Sequence, residues 1–328
     1  MPDERDLNSG RLMISAVIPT RDRPQDLVGA VESILRQTRL PNELIIVDQS
    51  AGVESKELIM NLCSGRQAGQ FELVYIHDQA ICGLVAAKDV AVTSSRGDII
   101  LFLEDDVILD VKYVENMVGG FHDTPQMMGS SGVILEMPRR ACCYRAMFHL
   151  FHRGIFYDRR VDVHGNPGEW ERKLIQSNFL NGGVSAYRRE VFEKVKFDTK
   201  NGFFMLEDID FSTRAAREFG GDKFFINTSA RLLHTFSPAN RAVSGARYEH
   251  KLREYVCFYK KNCDQAGALP SFLWLLVGLS LEAILVSVKL MDVAPVIGAV
   301  RGLLKGVRWQ IQETHVDGPG HRPRSESL

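Results

Sequence analysis

The sequence predicts an α/β fold with a mostly parallel sheet and helices on both faces, and three observations indicate it. Short apolar segments alternate with segments of helical period through the first third of the 328-residue chain. The apolar segments are continuous runs, which is typical of strands that are covered on both faces. Polar residues directly follow several runs, at the strand ends where such sheets hold their ligands.

The first elements follow one another from residue 13. Residues 13–19 (MISAVIP) are a β-branched run stopped by a proline, which predicts a buried strand. Residues 24–37 begin with a proline and place Leu27, Val31 and Ile34 on one face, which predicts a helix. The same patterns predict strands at 40–50, 71–78 and 98–106 and helices at 53–62 and 83–97.

The second half of the chain is less regular. A helix and then a strand are predicted within 108–135, and residues 137–176, rich in arginines and aromatics, are predicted to be irregular. The segment NFLNGGVSAYRREVFEKV predicts a strand, a turn and a helix. A helix at 207–219, a strand at 222–236 and a helix at 244–262 are then predicted.

The composition excludes several classes of protein. With 45% hydrophobic and 25% charged residues the chain can build an ample core, and its net charge of −1 indicates no nucleic-acid partner. Six cysteines form no CxxC pair, so neither a zinc site nor a disulfide framework is expected. The first residues, MPDERDLNSG, contain no apolar signal segment, and a cytoplasmic protein is expected.

Three consecutive acids, Glu104, Asp105 and Asp106, end the strand predicted at 98–106. Carboxylates repel a diphosphate unless a divalent cation lies between them, and Mg²⁺ or Mn²⁺ prefers oxygen ligands. Asp106 is the predicted metal ligand, while Glu104 or Asp105 could accept hydrogen bonds from a sugar or ribose hydroxyl. The alternative is a solvated loop.

A second acidic cluster, Glu207, Asp208 and Asp210, opens the helix predicted at 207–219. Asp208 is a candidate to remove a proton from an acceptor hydroxyl. The alternative is that these acids only stabilise the start of the helix.

Three further features have both a structural and a functional interpretation. Gly182 and Gly183 allow a ligand to approach the backbone closely, or form an ordinary turn. His234 ends an apolar segment and is either structural or a metal ligand. His149 and His152 are interpreted as structural or as facing the acceptor.

Taken in order, five segments resemble the family-2 glycosyltransferases with a GT-A fold. They are SAVIPTRDRP, LIIVDQS, the run GLVAAKDVAVTSSRGDIILFLEDDV, GGVSAYRREVF and LEDIDFSTRAAREFG, and together the resemblance covers residues 13–262. The chain departs from the family pattern at Lys88-Asp89, where an Arg-Asn pair is usual, and at Glu104, where Asp is usual. A Gln-x-x-Arg-Trp motif is absent after the second acidic cluster, which implies single additions of sugar.

The resemblance implies a role for each motif. Asp208 is the inverting base, and the metal, Mg²⁺ or Mn²⁺, is held by Asp106 and His234. Contacts to the donor and its nucleotide are expected from Pro19, Thr20, Arg21, Asp48, Asp78, Lys88, Glu104 and Asp105. Contacts to the acceptor or donor sugar are expected from Gly182, Gly183, Glu207 and Arg214. The implied donor is a UDP- or dTDP-sugar, and the implied acceptor is a glycan or a lipid-linked saccharide.

Other functions have less support. A nucleotidyltransferase of similar fold would need a glycine-rich phosphate loop after the first strand, and PTRDRPQD contains no glycine. A catalytically silent carbohydrate-binding or scaffold protein would not need Asp106 and Asp208. A dinucleotide dehydrogenase would need GxGxxG after the first strand, which is absent.

The domain organisation follows from these segments. We expect an N-terminal tail at 1–12, a GT-A domain at 13–265, a helical membrane-association segment at 266–312 and a disordered tail at 313–328. The GT-A domain divides into a nucleotide-binding half, 13–107, and an acceptor half, 108–265.

The membrane-association segment combines an apolar run with cations. Residues 272–288 carry one charge, and Ala294, Gly298, Gly302 and Gly306 form a stripe of small residues near several cations. An anchor lying on the inner face of the cell membrane is predicted. The alternatives are a helix that spans the membrane and a buried helical hairpin in a soluble homodimer.

Overall fold

The computed structural model describes residues 12–64, 71–135, 142–165, 170, 173–235, 245–263 and 267–312. The expected terminal tails lie outside these residues, apart from Leu12, as do Arg139 and Arg140 of the arginine-rich segment.

A nine-stranded sheet forms the centre of the molecule, in the order β3-β2-β1-β4-β8-β6-β9-β5, with β7 also paired to β9. Six strands run in one direction, and β5, β7 and β8 run against them. The strands are β1 (Ile14–Thr20), β2 (Glu43–Asp48), β3 (Glu72–His77), β4 (Ile99–Phe102), β5 (Val107–Leu109), β6 (Gly129–Leu135), β7 (Leu174–Gln176), β8 (Ser185–Arg188) and β9 (Phe224–His234).

Helices cover both faces of this sheet, which confirms the predicted fold class. Leu27 and Phe121 pack on one face, and Ala87, Val191 and Phe211 pack on the other. The helices are α1 (Pro24–Leu35), α2 (Glu54–Cys63), α3 (Leu84–Ser94), α4 (Tyr113–Asp123), α5 (Cys142–Phe151), α6 (Arg160–Gly165), α7 (Arg189–Lys194), α8 (Glu207–Phe219), α9 (Gly245–Asn262), α10 (Ala268–Leu290) and α11 (Ala294–Arg308).

The strand register brings the carboxyl ends of the first strands together. Thr20 lies opposite Asp48 in the β1–β2 pair, and Asp48 lies opposite His77 in the β2–β3 pair. Central strands β1, β2 and β4 are buried along their whole length, because helices cover them on both sides. The polar residues that follow these strands therefore share one rim of the sheet.

Two local predictions were wrong. The segment 137–176 is not irregular, because it contains α5, α6 and the short strand β7. Its aromatics form the buried face of α5, where Phe148 and Phe151 are almost inaccessible, and the interspersed arginines hide this period in the sequence. The segment NFLNGGVSAYRREVFEKV does not form a strand, a turn and a helix in that order, because the glycine pair at 182–183 precedes β8, which runs directly into α7.

The last three helices form a core of their own against α5 and the segment before α8. Phe272 of α10 stacks on Tyr259 of α9, with ring centroids 4.1 Å apart. The small residues of α11 lie against the backbone of α9, where a Cβ atom added to Gly302 would stand 2.2 Å from the Glu249 carbonyl oxygen. The predicted stripe of small residues is thus a helix-packing surface.

We expect Gly302→Ala to destabilise the protein by about 1–3 kcal/mol, because the added methyl group pushes α11 away from α9. Alanine favours a helix more than glycine by roughly 1 kcal/mol, so any loss of stability comes from the contact. Chemical denaturation of the full chain measures the change.

Gly119→Ala is the matched control for this substitution. Gly119 lies within α4, and a Cβ atom added there meets nothing within 4 Å. We expect this control to be neutral or stabilising, and a stabilising effect of Gly302→Ala would contradict the close packing of α9 and α11.

Candidate functional site

Both acidic clusters lie at the rim formed by the carboxyl ends of the parallel strands. The first, Glu104 to Asp106, occupies the short connection between β4 and β5, and the second opens α8. A hydrogen bond from the Glu104 N–H to the Gly183 carbonyl oxygen, 2.8 Å long, joins the first cluster to the glycine pair. The structure therefore places two clusters that are a hundred residues apart in sequence on either side of one peptide segment.

Glu104, Asp106 and His234 form the candidate metal site. Their ligand atoms all lie within 4.8 Å of one another, with Glu104 Oε2 2.5 Å and Asp106 Oδ1 3.5 Å from His234 Nε2. Two carboxylates and an imidazole suit a divalent cation such as Mn²⁺, and this donor set fits one. Glu104, which the sequence grouped with the donor contacts, lies with the metal candidates.

The pairing of β5 with β9 explains why His234 reaches the acids. Val107, directly after Asp106, lies opposite His234 in this antiparallel pair. The Asp106 carbonyl oxygen accepts hydrogen bonds from the N–H and hydroxyl of Thr235, at 2.9 and 2.8 Å. Backbone pairing thus fixes the histidine beside the acid.

Asp105 points away from the metal candidates and towards β1. Its carboxylate accepts a 2.7 Å hydrogen bond from the Thr20 hydroxyl and a 3.1 Å hydrogen bond from Arg23. Burial raises the pKa of the Asp105 carboxyl, and the Thr20 hydrogen bond and Arg23 charge oppose this rise. Sequence reasoning missed Arg23, although its position just after the first strand end was a usable signal.

The glycine pair is required by close contacts to both acidic clusters. A Cβ atom on Gly183 would stand 2.2 Å from the Glu104 side chain, and one on Gly182 would stand 2.3 Å from Glu207 Oε1 and 2.8 Å from Lys88 Nζ. A side chain on either glycine would therefore displace the neighbouring acid from its present position. The interpretation of an ordinary turn is therefore incomplete, because these glycines allow the acids to approach the backbone.

Lys88 and Glu207 form a buried ion pair beside this segment. Lys88 Nζ donates a 2.6 Å hydrogen bond to Glu207 Oε1, and both side chains are less than a tenth exposed. Burial raises the pKa of the Glu207 carboxyl, and the Lys88 charge opposes this rise. The second oxygen, Oε2, is buried and has no hydrogen-bond partner within the described residues, so it is available to a bound hydroxyl group.

Asp208 is held by Arg160, the first residue of α6. Arg160 Nη1 donates to Asp208 Oδ2, while the same guanidinium binds both oxygens of Asp158 and the Leu180 carbonyl oxygen. The second Asp208 oxygen accepts the Ile209 N–H at 2.8 Å. Sequence reasoning gave Arg160 no role, because an arginine in a segment without readable period carries no positional signal.

Several residues that the sequence predicts to contact the donor nucleotide make hydrogen bonds or ion pairs within the protein. Asp48 is completely buried and accepts hydrogen bonds from the Ser50 N–H and the Tyr75 hydroxyl, at 2.9 and 2.7 Å. Asp78 is exposed and accepts the Ala80 N–H, and Arg21 is exposed beside Asp22. Pro19 is buried within β1.

Arg214 is not brought together with the other predicted residues. It binds Asp210 and the Lys196 carbonyl oxygen, and Asp210 in turn binds Lys261 and Asn262 of α9. Asp210 and Arg214 lie two and six residues beyond Asp208, which places them on the opposite side of α8. This part of the second cluster fastens α8 to the C-terminal helices.

The histidines of α5 and the loop after it differ in environment. His149 is partly exposed, 3.2 Å from Asp162. His152 stacks on Phe148 with ring centroids 4.1 Å apart, and its Nδ1 atom is buried without a hydrogen-bond partner in the described part of the chain. Burial lowers the pKa of His152 to about 4, assisted by the Lys251 charge. His152 is thus held neutral at physiological pH.

The chain is similar to several known proteins. The sequence profile of the family described as Glycosyl transferase family 2 matches residues 15–196. A glycosyltransferase of Haemophilus influenzae is 31% identical over 255 residues, which cover 77% of this chain and 79% of that protein. A putative colanic acid biosynthesis glycosyl transferase of Escherichia coli, WcaA, is 22% identical over 263 residues, covering 77% of this chain and 82% of its own.

A solved structure shares the fold. The mannosyltransferase PcManGT from Pyrobaculum calidifontis, in complex with GDP-Man and Mn²⁺, superposes with a TM-score of 0.59 at 14% identity. The match covers 92% of this chain and 88% of that chain. At this identity the likeness concerns the fold, which is GT-A.

We expect Gly183→Ala to weaken Mn²⁺ binding about 10- to 100-fold, because the added methyl group displaces the Glu104 carboxylate. Calorimetric titration of the full chain with Mn²⁺ measures the affinity, and Gly119→Ala serves as the control with unchanged affinity. Equal Mn²⁺ affinity in the two variants would show that Glu104 is not a ligand.

We expect the free energy of unfolding to fall by up to about 1.4 kcal/mol per pH unit below pH 6.5, because His152 takes up its proton only on unfolding. The stabilising contribution of neutral His152 is present above the unfolded pKa of about 6.5 and is lost as the pH falls towards the folded value of about 4.

Denaturation at pH 7 and pH 5 measures this slope in wild type and in His152→Phe, which keeps the ring stacked on Phe148. The slope should be shallower in His152→Phe and unchanged in His122→Phe, whose side chain is 73% exposed. A wild-type slope retained in His152→Phe would exclude this histidine as the source.

Proposed function

The chain belongs to glycosyltransferase family 2, and on this premise we propose that it transfers one sugar from a nucleotide-sugar to an acceptor hydroxyl, with inversion and with a divalent metal. The observation that carries the proposal is the meeting of the two acidic clusters at Gly182 and Gly183. One cluster offers ligands for a cation, and the other offers a carboxylate that can take a proton.

The first cluster suits the diphosphate end of a donor. Glu104, Asp106 and His234 would hold Mg²⁺ or Mn²⁺, which when bound neutralises charge on the leaving diphosphate. Thr20, Arg21 and Lys88, together with Asp48 and Asp78 at the neighbouring strand ends, would orient the nucleotide and its phosphates. The exposed guanidinium of Arg21 is placed where an anionic group can approach.

The second cluster suits the acceptor end of the reaction. The acceptor oxygen would attack the anomeric carbon while its proton passes to Asp208, and the bond from that carbon to the diphosphate oxygen breaks on the opposite face. Glu207, whose Oε2 atom has no hydrogen-bond partner within the described residues, would bind a sugar hydroxyl next to Gly182. Because Arg160 occupies one Asp208 oxygen, the acceptor must approach the other oxygen or displace that hydrogen bond.

The substrates are proposed by class. We propose a UDP- or dTDP-linked sugar as donor and a growing glycan or lipid-linked saccharide as acceptor. The name of the similar protein WcaA refers to colanic acid biosynthesis, which supports a role for this chain in a polysaccharide pathway. Reaction with a lipid-linked acceptor would place the enzyme at the inner face of the cell membrane, adding one sugar in each encounter.

We expect Asp208→Asn to lower transfer by about 10²–10⁴-fold while donor affinity stays within a few-fold of wild type, because the proton acceptor is lost and the donor contacts remain. Transfer is measured with a panel of nucleotide-sugars and Mn²⁺, and donor affinity is measured by calorimetry with the matching nucleoside diphosphates. Asp123→Asn, at an 80% exposed side chain of α4, is the matched control with full turnover.

Full turnover in Asp208→Asn would contradict the assignment of the base. The absence of both transfer and donor hydrolysis in wild type, with every donor tested, would instead favour a carbohydrate-binding or scaffold role.

A further inference from the structure

Helices α10 and α11, with the turn between them, carry most of the exposed large hydrophobic side chains among the described residues. Sixteen of the 24 large hydrophobic side chains that are exposed in the described residues lie between 269 and 311. The end of α10 and the turn that follows it are the most exposed part, with Val288 at 71%, Met291 at 95% and Val293 at 68%. A soluble surface rarely gathers apolar side chains in this way without a partner.

Each helix is apolar on two sides. One side of α10, with Leu275 and Leu279, is buried in the core shared with α9 and α11. The other side carries a stripe at helical spacing over the whole helix, namely Leu269, Leu273, Val277, Leu281, Ile284, Leu285 and Val288. On α11 the corresponding exposed residues are Ile297, Val300, Leu304 and Val307.

The charges around this face are mainly positive. Lys289, Arg301 and Arg308 are exposed beside the apolar side chains, and the exposed Lys305 pairs with Glu249 of α9 at 2.5 Å. The two acids of α10 and the turn are engaged elsewhere, since Glu282 binds Lys251 of α9 and Asp292 accepts the Ala294 N–H. The face therefore combines apolar side chains with a surplus of cations.

We propose that the α10–α11 face docks in the plane of a lipid bilayer whose headgroups are anionic. Apolar side chains enter the boundary between headgroups and acyl chains, and the neighbouring cations bind the headgroup phosphates. A second copy of this chain fits less well, because a two-fold contact would bring the same cations of both copies together.

The contacts of α10 favour lying on the bilayer over crossing it. With 23 residues, α10 is long and apolar enough to span a membrane by length and composition. Its Gly278, however, lies against Phe151, and its Trp274 Nε1 donates a 2.8 Å hydrogen bond to the Leu150 carbonyl oxygen. A spanning helix would have to leave these contacts and the Lys251–Glu282 ion pair.

Vesicle flotation of the full chain tests the proposal. Because flotation does not measure enzyme activity, its result is independent of the proposed function. We expect binding to equimolar phosphatidylcholine and phosphatidylglycerol vesicles, weaker binding to phosphatidylcholine alone, and weakening by salt. Alkaline carbonate should release the bound protein.

Two pairs of variants separate the apolar and the charged contributions. We expect Val288→Glu with Met291→Glu to abolish flotation. The control, Val53→Glu with Met60→Glu, changes exposed apolar side chains distant in sequence from α10 and α11 and should leave flotation intact. Arg301→Gln with Arg308→Gln should weaken binding to anionic vesicles roughly tenfold. Lys56→Gln with Lys112→Gln, at exposed cations of other segments, should leave it unchanged.

Thermal unfolding of each variant identifies any loss of fold, and the arginine pair tests the proposal even if the glutamates destabilise the turn. Absence of flotation in wild type would overturn the proposal, as would equal binding to both vesicle types. If the wild type does not float but forms a dimer, and if Val288→Glu with Met291→Glu dissociates that dimer, the face would be assigned to contact with a second copy. Resistance to carbonate would assign α10 to a spanning helix.

Discussion

Five carboxylates lie close together at the rim of the sheet, and their mutual repulsion must be offset for this arrangement to be stable. Glu104, Asp105, Asp106, Glu207 and Asp208 lie around a single peptide segment, and each would raise the cost of ionising its neighbours. The structure meets this cost by pairing the acids with cations or imidazole from separate parts of the chain. Asp105 binds Arg23, Glu207 binds Lys88, Asp208 binds Arg160, and Glu104 and Asp106 lie beside His234.

These pairs make the geometry of the site depend on several distant elements of the fold. Each partner comes from a different element: the start of α1, α3, α6 and the end of β9. Because every pair joins residues far apart in sequence, the cluster depends on the tertiary arrangement of the sheet and its covering helices. The same pairs are exchangeable, since a divalent cation can take over the role that a protein cation fills, and a substrate phosphate can take over the role of the carboxylate beside that protein cation.

The sequence predicts the part of this arrangement that follows from strand order. Apolar runs and the polar residues after them locate β1 to β4 and predict a shared rim, because parallel strands end on one side of a sheet. The approach of Gly183 to Glu104 and the Asp208–Arg160 pair were not predictable, since they depend on side-chain packing between segments with no common period. The helices within 137–176 were missed because their arginines, Arg160 among them, interrupt the apolar pattern.

The position of α5 and α9 has a consequence for handling the protein. Trp274 and Gly278 of α10 support α5, whose chain continues to Arg160, and Glu254 of α9 accepts the N–H groups of Met205 and Leu206 just ahead of Asp208. Shortening the chain before α10 to gain solubility would uncover the aromatic core of α9 and remove the support of the Arg160 segment. Solubility is better sought by changing outward side chains of the last two helices, which leaves the packing that supports Asp208 and Arg160 in place.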